Sequence, residues 1–275
     1  MQPPPRASIS AFIVCCNEER QIRRCLESVK WCDEIVIIDS GSTDSTLPIC
    51  REFTDKVLHR AWTGYVEQKR FALEHCDSDW VLNIDADEEV SDELRAEILT
   101  ILEDDLQASS SQQTPVSGYF VNRVVYFLDR WWRKGGWYPE FRLRLCRRLK
   151  TRWEGIDPHE KAHVEGPTRR CQSELHHYSF TDLTDYMRRM NALSTNAADT
   201  MIKRGAKPSL WNITFRPLAR FFKFYFSKRG YREGFAGFIV AVVEAISVFL
   251  KYSKVWERHP SRLDSEDRST NFTGT

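Results

Sequence analysis

Apolar and polar positions follow two different periods along the first hundred residues. Short, mostly apolar runs at 9–14 (ISAFIV), 34–38 (EIVII) and 80–84 (WVLNI) suit strands covered on both faces. Between them, residues 18–31 place Ile22, Leu26 and Val29 on one helical face, and 45–53, 66–75 and 92–106 read as further helices. A short strand fits 56–59. Strand–helix alternation at this spacing predicts right-handed βαβ units, hence an α/β fold with a mostly parallel sheet flanked by helices. Ligands of such sheets bind beyond the carboxyl ends of the strands. Asn17, Asp39 and Asp85 each fall just past a strand end, so one edge collects them.

The pattern changes after residue 106. Residues 107–117 (QASSSQQTPVS) predict a flexible connector. Strand-like runs follow at 118–127, 141–145 and 175–178, then a long helix at 181–204. From Lys203 to Arg232 basic residues recur with no Asp or Glu between them, interleaved with aromatics such as Trp211, Phe215, Phe222 and Phe226. The run GFAGFIVAVVEAISVFLKY comes next. A membrane-crossing helix needs about 20 apolar residues, but Glu244 sits in mid-run, which is costly in lipid. A pair of helices lying on a membrane surface is the expectation, and the polar residues after Pro260 are expected to be disordered.

With 275 residues and 41% hydrophobic content, the chain can build one large α/β domain with an appendage. A formal charge of +1 gives no reason to expect nucleic acid as a partner. The eight cysteines form no CxxC pair and read as reduced, buried small hydrophobes of a cytosolic protein. The first residues carry no basic stretch followed by an apolar one, so a secretory signal is not expected.

Candidate chemistry starts at VLNIDADEE, where a strand ends in Asp85, Asp87, Glu88 and Glu89. Such crowding needs compensation. A hard divalent cation holding a diphosphate would supply it. An acidic start to the next helix is the alternative; it accounts well for Asp92 and Glu93, less well for Asp85 and Asp87. The turns CCNEER and DSGSTDST follow two other strands in the same way.

Taken in order, NEE (17–19), DSGSTDST (39–46), GYVEQKRFAL (64–73) and DWVLNIDADEE (79–89) resemble family 2 of the inverting glycosyltransferases, which have the GT-A fold. YPEFRLRLCRR (138–148) and GIDPHEK (155–161) resemble the branch that adds β-glucose to the lipopolysaccharide core. The resemblance implies that Asn17 and Glu19 line the nucleotide pocket, that Asp39 meets the uracil, and that Asp85 and Asp87 are the DxD pair. Asp85 would face ribose and metal, and Asp87 would hold Mg2+ or Mn2+ on the two phosphates. Lys69 and Arg70 fall where many relatives have Lys-Asn, so Arg70 departs from the pattern; it would contact base or phosphate, or only pair with Glu67. Glu160 matches the catalytic base, with Asp157 in reserve, and Arg144, Arg147 and Arg148 would hold diphosphate or an anionic acceptor.

By the same resemblance, residues 1–106 would bind the nucleotide sugar and 107–180 the acceptor. Residues 181–260 would associate with membrane, ahead of a tail at 261–275. The implied activity is transfer of a hexose, glucose from UDP-glucose, to a heptose of the lipopolysaccharide inner core. The protein would then be cytoplasmic and peripheral on the anionic inner membrane, with a glycolipid acceptor. Another lipid-linked or capsular acceptor is the alternative. A nucleotide-sugar-binding protein without turnover is disfavoured by the intact DxD and Glu160. HEKAH (159–163) formally matches the HExxH zinc-hydrolase motif, but that chemistry needs a helix, and Pro158 and Gly166-Pro167 crowd it.

Overall fold

The computed structural model describes residues 5–108, 115–155 and 160–259. Two compact units divide them: residues up to Val125 together with Pro139–Ser179, and Tyr126–Tyr138 together with residues from Phe180 onward. The Trp-rich segment 126–138 thus falls in the same unit as the C-terminal helices. Asp157, the connector residues 109–114 and the tail from 260 fall outside the described residues.

The first unit begins with β1 (Ile9–Cys15), α1 (Ile22–Val29), β2 (Glu34–Asp39), α2 (Thr46–Cys50), β3 (Val57–His59), α3 (Tyr65–Glu74) and β4 (Trp80–Asn83). β1 pairs in parallel with both β2 and β4, and β2 in parallel with β3. β1, β2 and β4 are buried on both faces, as their largely apolar character requires, while β3 at the sheet edge is half-buried to exposed. α1 starts later than the periodicity predicts. Asn17 has a positive φ of 56°, and the amides of Gln21 and Ile22 close a turn onto the carbonyl of Glu18.

A sharp turn at Asp85–Asp87 leads into β5 (Glu88–Val90), a strand the sequence does not announce, and then α4 (Asp92–Ala108). β6 (Gly118–Tyr126) is followed, in the second unit, by β7 (Trp131–Trp132). The sheet unit continues with β8 (Glu140–Arg147), β9 (Thr151–Glu154), β10 (Lys161–Val164) and β11 (Thr168–His177). The strand order is β3-β2-β1-β4-β8-β6-β11-β5, with β8 antiparallel to both β4 and β6, and β11 antiparallel to β5. This is a mixed, mostly parallel α/β sheet of GT-A type. β10 pairs antiparallel with β9. Residues 161–164 are therefore extended, and the helix that a zinc-hydrolase HExxH needs is absent there. All eight cysteines are free, and all but the exposed Cys16 and half-buried Cys32 are buried.

The second unit holds α5 (Leu183–Lys203), α6 (Leu210–Phe222) and α7 (Gly234–Glu257). The Asp182 carboxylate caps α5 by accepting from the Asp185 amide at 2.8 Å. Glu244, the charge inside the apolar run of α7, is buried in a polar knot. Arg220 of α6 donates to it at 2.6 and 3.0 Å, the Tyr186 hydroxyl at 3.2 Å and the Trp137 indole at 3.3 Å. Burial first, and then the neighbouring Glu244 carboxylate, push the Tyr186 phenol far above its ordinary range.

Removing one partner of such a pair strands the other charge. Arg220→Met should therefore destabilise the protein by about 3 kcal/mol, measured by urea denaturation. Adding Glu244→Leu to it should recover most of that loss; a double variant no better than the single one would contradict the pairing.

Candidate active site

The turn after β1 and the turn after β2 are tied to each other. The Asn17 amide oxygen accepts from the Thr43 N–H at 2.8 Å, the Glu19 carboxylate from the Ser45 N–H at 3.1 Å, and Asp44 from the Glu19 N–H at 3.2 Å. Asp39 ends β2 almost fully buried. Its carboxylate accepts from the amides of Gly41 (2.9 Å) and Ser42 (3.1 Å), in a turn that Gly41 closes with a φ of 105°. These are the residues that the resemblance assigns to the nucleotide, and the structure gathers them on the carboxyl edge of β1 and β2.

The acidic cluster after β4 is resolved by distributing its charges. Arg144, on β8, is buried; it donates to Asn83 at 2.9 Å and to Asp85 at 2.6 Å, and it also pairs with Glu88. Arg123, on β6, pairs with Glu88 at 3.3 Å and with Glu140 at 2.8 Å. Because side chains alternate along β5, Glu89 leaves the cluster and accepts from the Tyr178 hydroxyl at 2.7 Å. Asp87 turns to His177, whose Nε2 lies 3.2 Å from its Oδ2.

Lys69, buried on α3, bridges two of the key acids. Its Nζ lies 3.4 Å from Asp85 Oδ1 and 3.3 Å from Glu160 Oε1, over the ring of Trp153. Burial of Asp85 opposes its charge, but Arg144, Lys69 and Arg123 outweigh that and hold its carboxyl well below the usual carboxylate range. Burial likewise opposes the charge of Arg144, yet Asp85 and Glu88 raise it above its ordinary value.

Four arginines that the resemblance offers to base, phosphate or acceptor are engaged within the protein, Arg70 in its alternative pairing with Glu67. Arg144 is held inside by Asn83, Asp85 and Glu88, so it positions the turn and is not free for a diphosphate. Arg70 pairs with Glu67 at 2.8 Å and donates to the Trp153 carbonyl at 3.0 Å, because the helical turn that buries Lys69 carries its neighbour outward. Arg147 pairs with Asp105, and Arg148 donates to the Ser78 carbonyl at 2.8 Å.

Asp87 with His177 fits a divalent cation best. Among the described residues no three His, Cys, Asp or Glu side chains form a cage. One carboxylate leaves positions open for phosphate oxygens and water, the mode in which Mg2+ is usually held; the imidazole adds a nitrogen donor, which suits softer divalent ions better than Mg2+. Asp85, already claimed by Arg144 and Lys69, offers less. His177 was legible in the sequence only as half of a His-His pair. The pairing of β11 with β5, which sets His177 opposite Glu88, brings it to Asp87.

Asn17, Asp39 and the Asp85–Asp87 turn thus share the carboxyl edge of one mostly parallel sheet. The glycosyl transferase family 2 model matches residues 10–165, and the chain belongs to that family of enzymes. It is 34% identical over 262 residues to the lipopolysaccharide core biosynthesis glycosyltransferase LpsC of Rhizobium meliloti (strain 1021), covering 93% of this chain and 94% of that one. An uncharacterized glycosyltransferase of Rickettsia felis is 32% identical over 263 residues, covering 90% and 89%. Among solved structures, S. aureus TarS 1–349 in complex with UDP-GlcNAc superposes with a TM-score of 0.44 at 12% identity, covering 88% of this chain and 81% of that one. A glucosyl-3-phosphoglycerate synthase from Mycobacterium tuberculosis, with Mn2+ and UDP-glucose, gives a TM-score of 0.33 at 19% identity over 44% of each chain.

The lowered pKa of Asp85 gives a signed prediction. A carboxyl depressed in the folded state stabilises it fully above about pH 4, the unfolded value, and that contribution fades as pH falls through the folded value. Asp85→Asn should therefore cost stability at neutral pH, with the gap to wild type narrowing below about pH 4 in denaturation series. A gap that is the same at every pH would contradict the charge lattice.

Proposed function

We propose that this family 2 glycosyltransferase moves a hexose, glucose from UDP-glucose, with inversion, onto a heptose of the lipopolysaccharide inner core. It would work on the cytoplasmic face of the inner membrane. The observation that carries the catalytic part is the Lys69 bridge, which brings Asp85 and Glu160 to one ammonium at the sheet's carboxyl edge. The 34% identity to LpsC over nearly the whole of both chains supports the acceptor class.

The roles follow from position. Asn17, Glu19 and Asp39 sit where a nucleoside would lie, Asp39 with its carboxylate fixed by the turn amides. Glu160 takes the proton of the attacking hydroxyl as its oxygen bonds to the anomeric carbon and the bond to the diphosphate breaks. One displacement inverts the anomeric centre, and no covalent sugar–enzyme intermediate is needed. Lys69 anchors Glu160 and, through Asp85, fixes it relative to the DxD turn. A Mg2+ or Mn2+ ion held by Asp87 and His177 would neutralise charge on the departing diphosphate.

Glu160→Gln should lower kcat by about 10²- to 10⁴-fold while leaving UDP-glucose affinity near wild type, read by steady-state kinetics and calorimetry. A full rate in this variant would transfer the base role to another group, Asp157 first. Asp87→Ala should abolish turnover together with metal-dependent UDP binding; near-normal metal-dependent binding would remove Asp87 from the metal site.

A further inference from the structure

The second unit carries an apolar surface that its own packing does not use. On α6 and the π-helical turn Lys223–Ser227 that extends it, Trp211, Phe215, Leu218, Phe222 and Phe226 are all exposed. They recur every three or four residues and so form one stripe. α7 buries Gly237, Val240, Ala241 and Glu244, yet it also exposes Phe235, Phe238, Ile246 and Phe249 on another side. The two stripes join through rings. Phe221 contacts both Phe222 and Phe238, and Tyr225 contacts both Phe226 and Phe238. Phe235 is 77% exposed and Trp211 64%; singly exposed apolar residues are ordinary, but a contiguous aromatic patch marks an interaction surface.

The charge along α6 and the turn that follows it has one sign. Lys223, Lys228, Arg229 and Arg232 are exposed, and no acidic residue occurs between Lys203 and Arg232. Aromatic rings flanked by cations are the chemistry of an anionic bilayer interface, where rings sit at headgroup depth and cations meet lipid phosphates. α7 is the one helix among the described residues that is long and apolar enough to cross a membrane. Its Glu244 is tied to Arg220, Tyr186 and Trp137, so crossing would drag that polar knot into hydrocarbon or break it.

We propose that α6 and α7 together form a docking face for an anionic bilayer, with α7 lying in the plane of the surface instead of spanning it. This deepens the functional reading and rests on its membrane-held acceptor for purpose, but its physical basis is the second unit alone.

The test uses the full chain and vesicles that contain no glycolipid, so a failure here leaves the glycosyltransferase reading standing. Wild type should float with vesicles of phosphatidylglycerol and phosphatidylcholine. With phosphatidylcholine alone, binding should be at least about tenfold weaker. The variant Trp211→Ser, Phe215→Ser, Phe222→Ser, Phe235→Ser should lose binding at least about tenfold while keeping wild-type UDP affinity and wild-type helical circular dichroism, which together show that both units are folded. Replacing Lys223, Lys228, Arg229 and Arg232 with Gln should abolish the preference for the anionic vesicles. Alkaline carbonate should strip the wild-type protein from cell membranes. Equal binding by the aromatic variant, indifference to lipid charge, retention after carbonate, or self-association through this face in place of vesicle binding would each overturn the proposal.

Discussion

Arg144 is the cation on which the acidic edge of the sheet depends. It sits on an antiparallel strand, buried, and meets Asp85 and Glu88 while Asn83 accepts its other amino group. Without it Asp85 and Glu88 would lose their closest cation and keep only the longer contacts to Lys69 and Arg123. With it, Asp85 stays ionised, Glu88 becomes a buried structural acid, and Asp87 and Glu89 are released to other partners. The answer to the crowding of VLNIDADEE is therefore mostly protein cations. A metal ion at Asp87 belongs to the proposed chemistry and is not needed to explain the tolerance of the cluster.

The same lattice sets the distance between Asp85 and Glu160, the proposed base. Lys69 reaches from α3 to both Asp85 and Glu160, so a helix, the DxD turn and the segment before β10 meet at one ammonium group. Lysine suits the position because its single charged nitrogen can sit between two carboxylates while the aromatic face of Trp153 covers it. A site held by a charge network is preorganised, and displacement chemistry gains from groups that need not move as charge develops.

Much of this was legible in the sequence, and the limits have physical causes. The parallel half of the sheet follows from apolar runs too continuous for a one-sided strand, and its carboxyl edge follows from topology. The antiparallel half was harder. β5 is three residues long and acidic, so it carries no apolar signal, and its existence depends on pairing with β11, more than eighty residues later. His177 was hidden for that reason. Arg144 and Arg70 show a different limit. The resemblance offered a phosphate to each; strand alternation turned Arg144 inward onto carboxylates, while for Arg70 the structure shows the other reading, the pair with Glu67 one helical turn away. In the C-terminal third, Glu244 was readable as an obstacle to spanning, while its partners Arg220, Tyr186 and Trp137 come from three separate segments that no local pattern connects.

The central claim is that the carboxyl edge of β1, β2 and β4 takes a nucleoside diphosphate sugar together with a divalent ion. Thermal unfolding of the intact protein with UDP-, GDP- and dTDP-sugars, each with and without Mg2+ or Mn2+, addresses it directly, because a ligand that binds the native state stabilises it by mass action. The account predicts that UDP-glucose raises Tm and that the rise disappears when the cation is chelated. No shift with any nucleotide sugar, or the same shift with and without the cation, would contradict it.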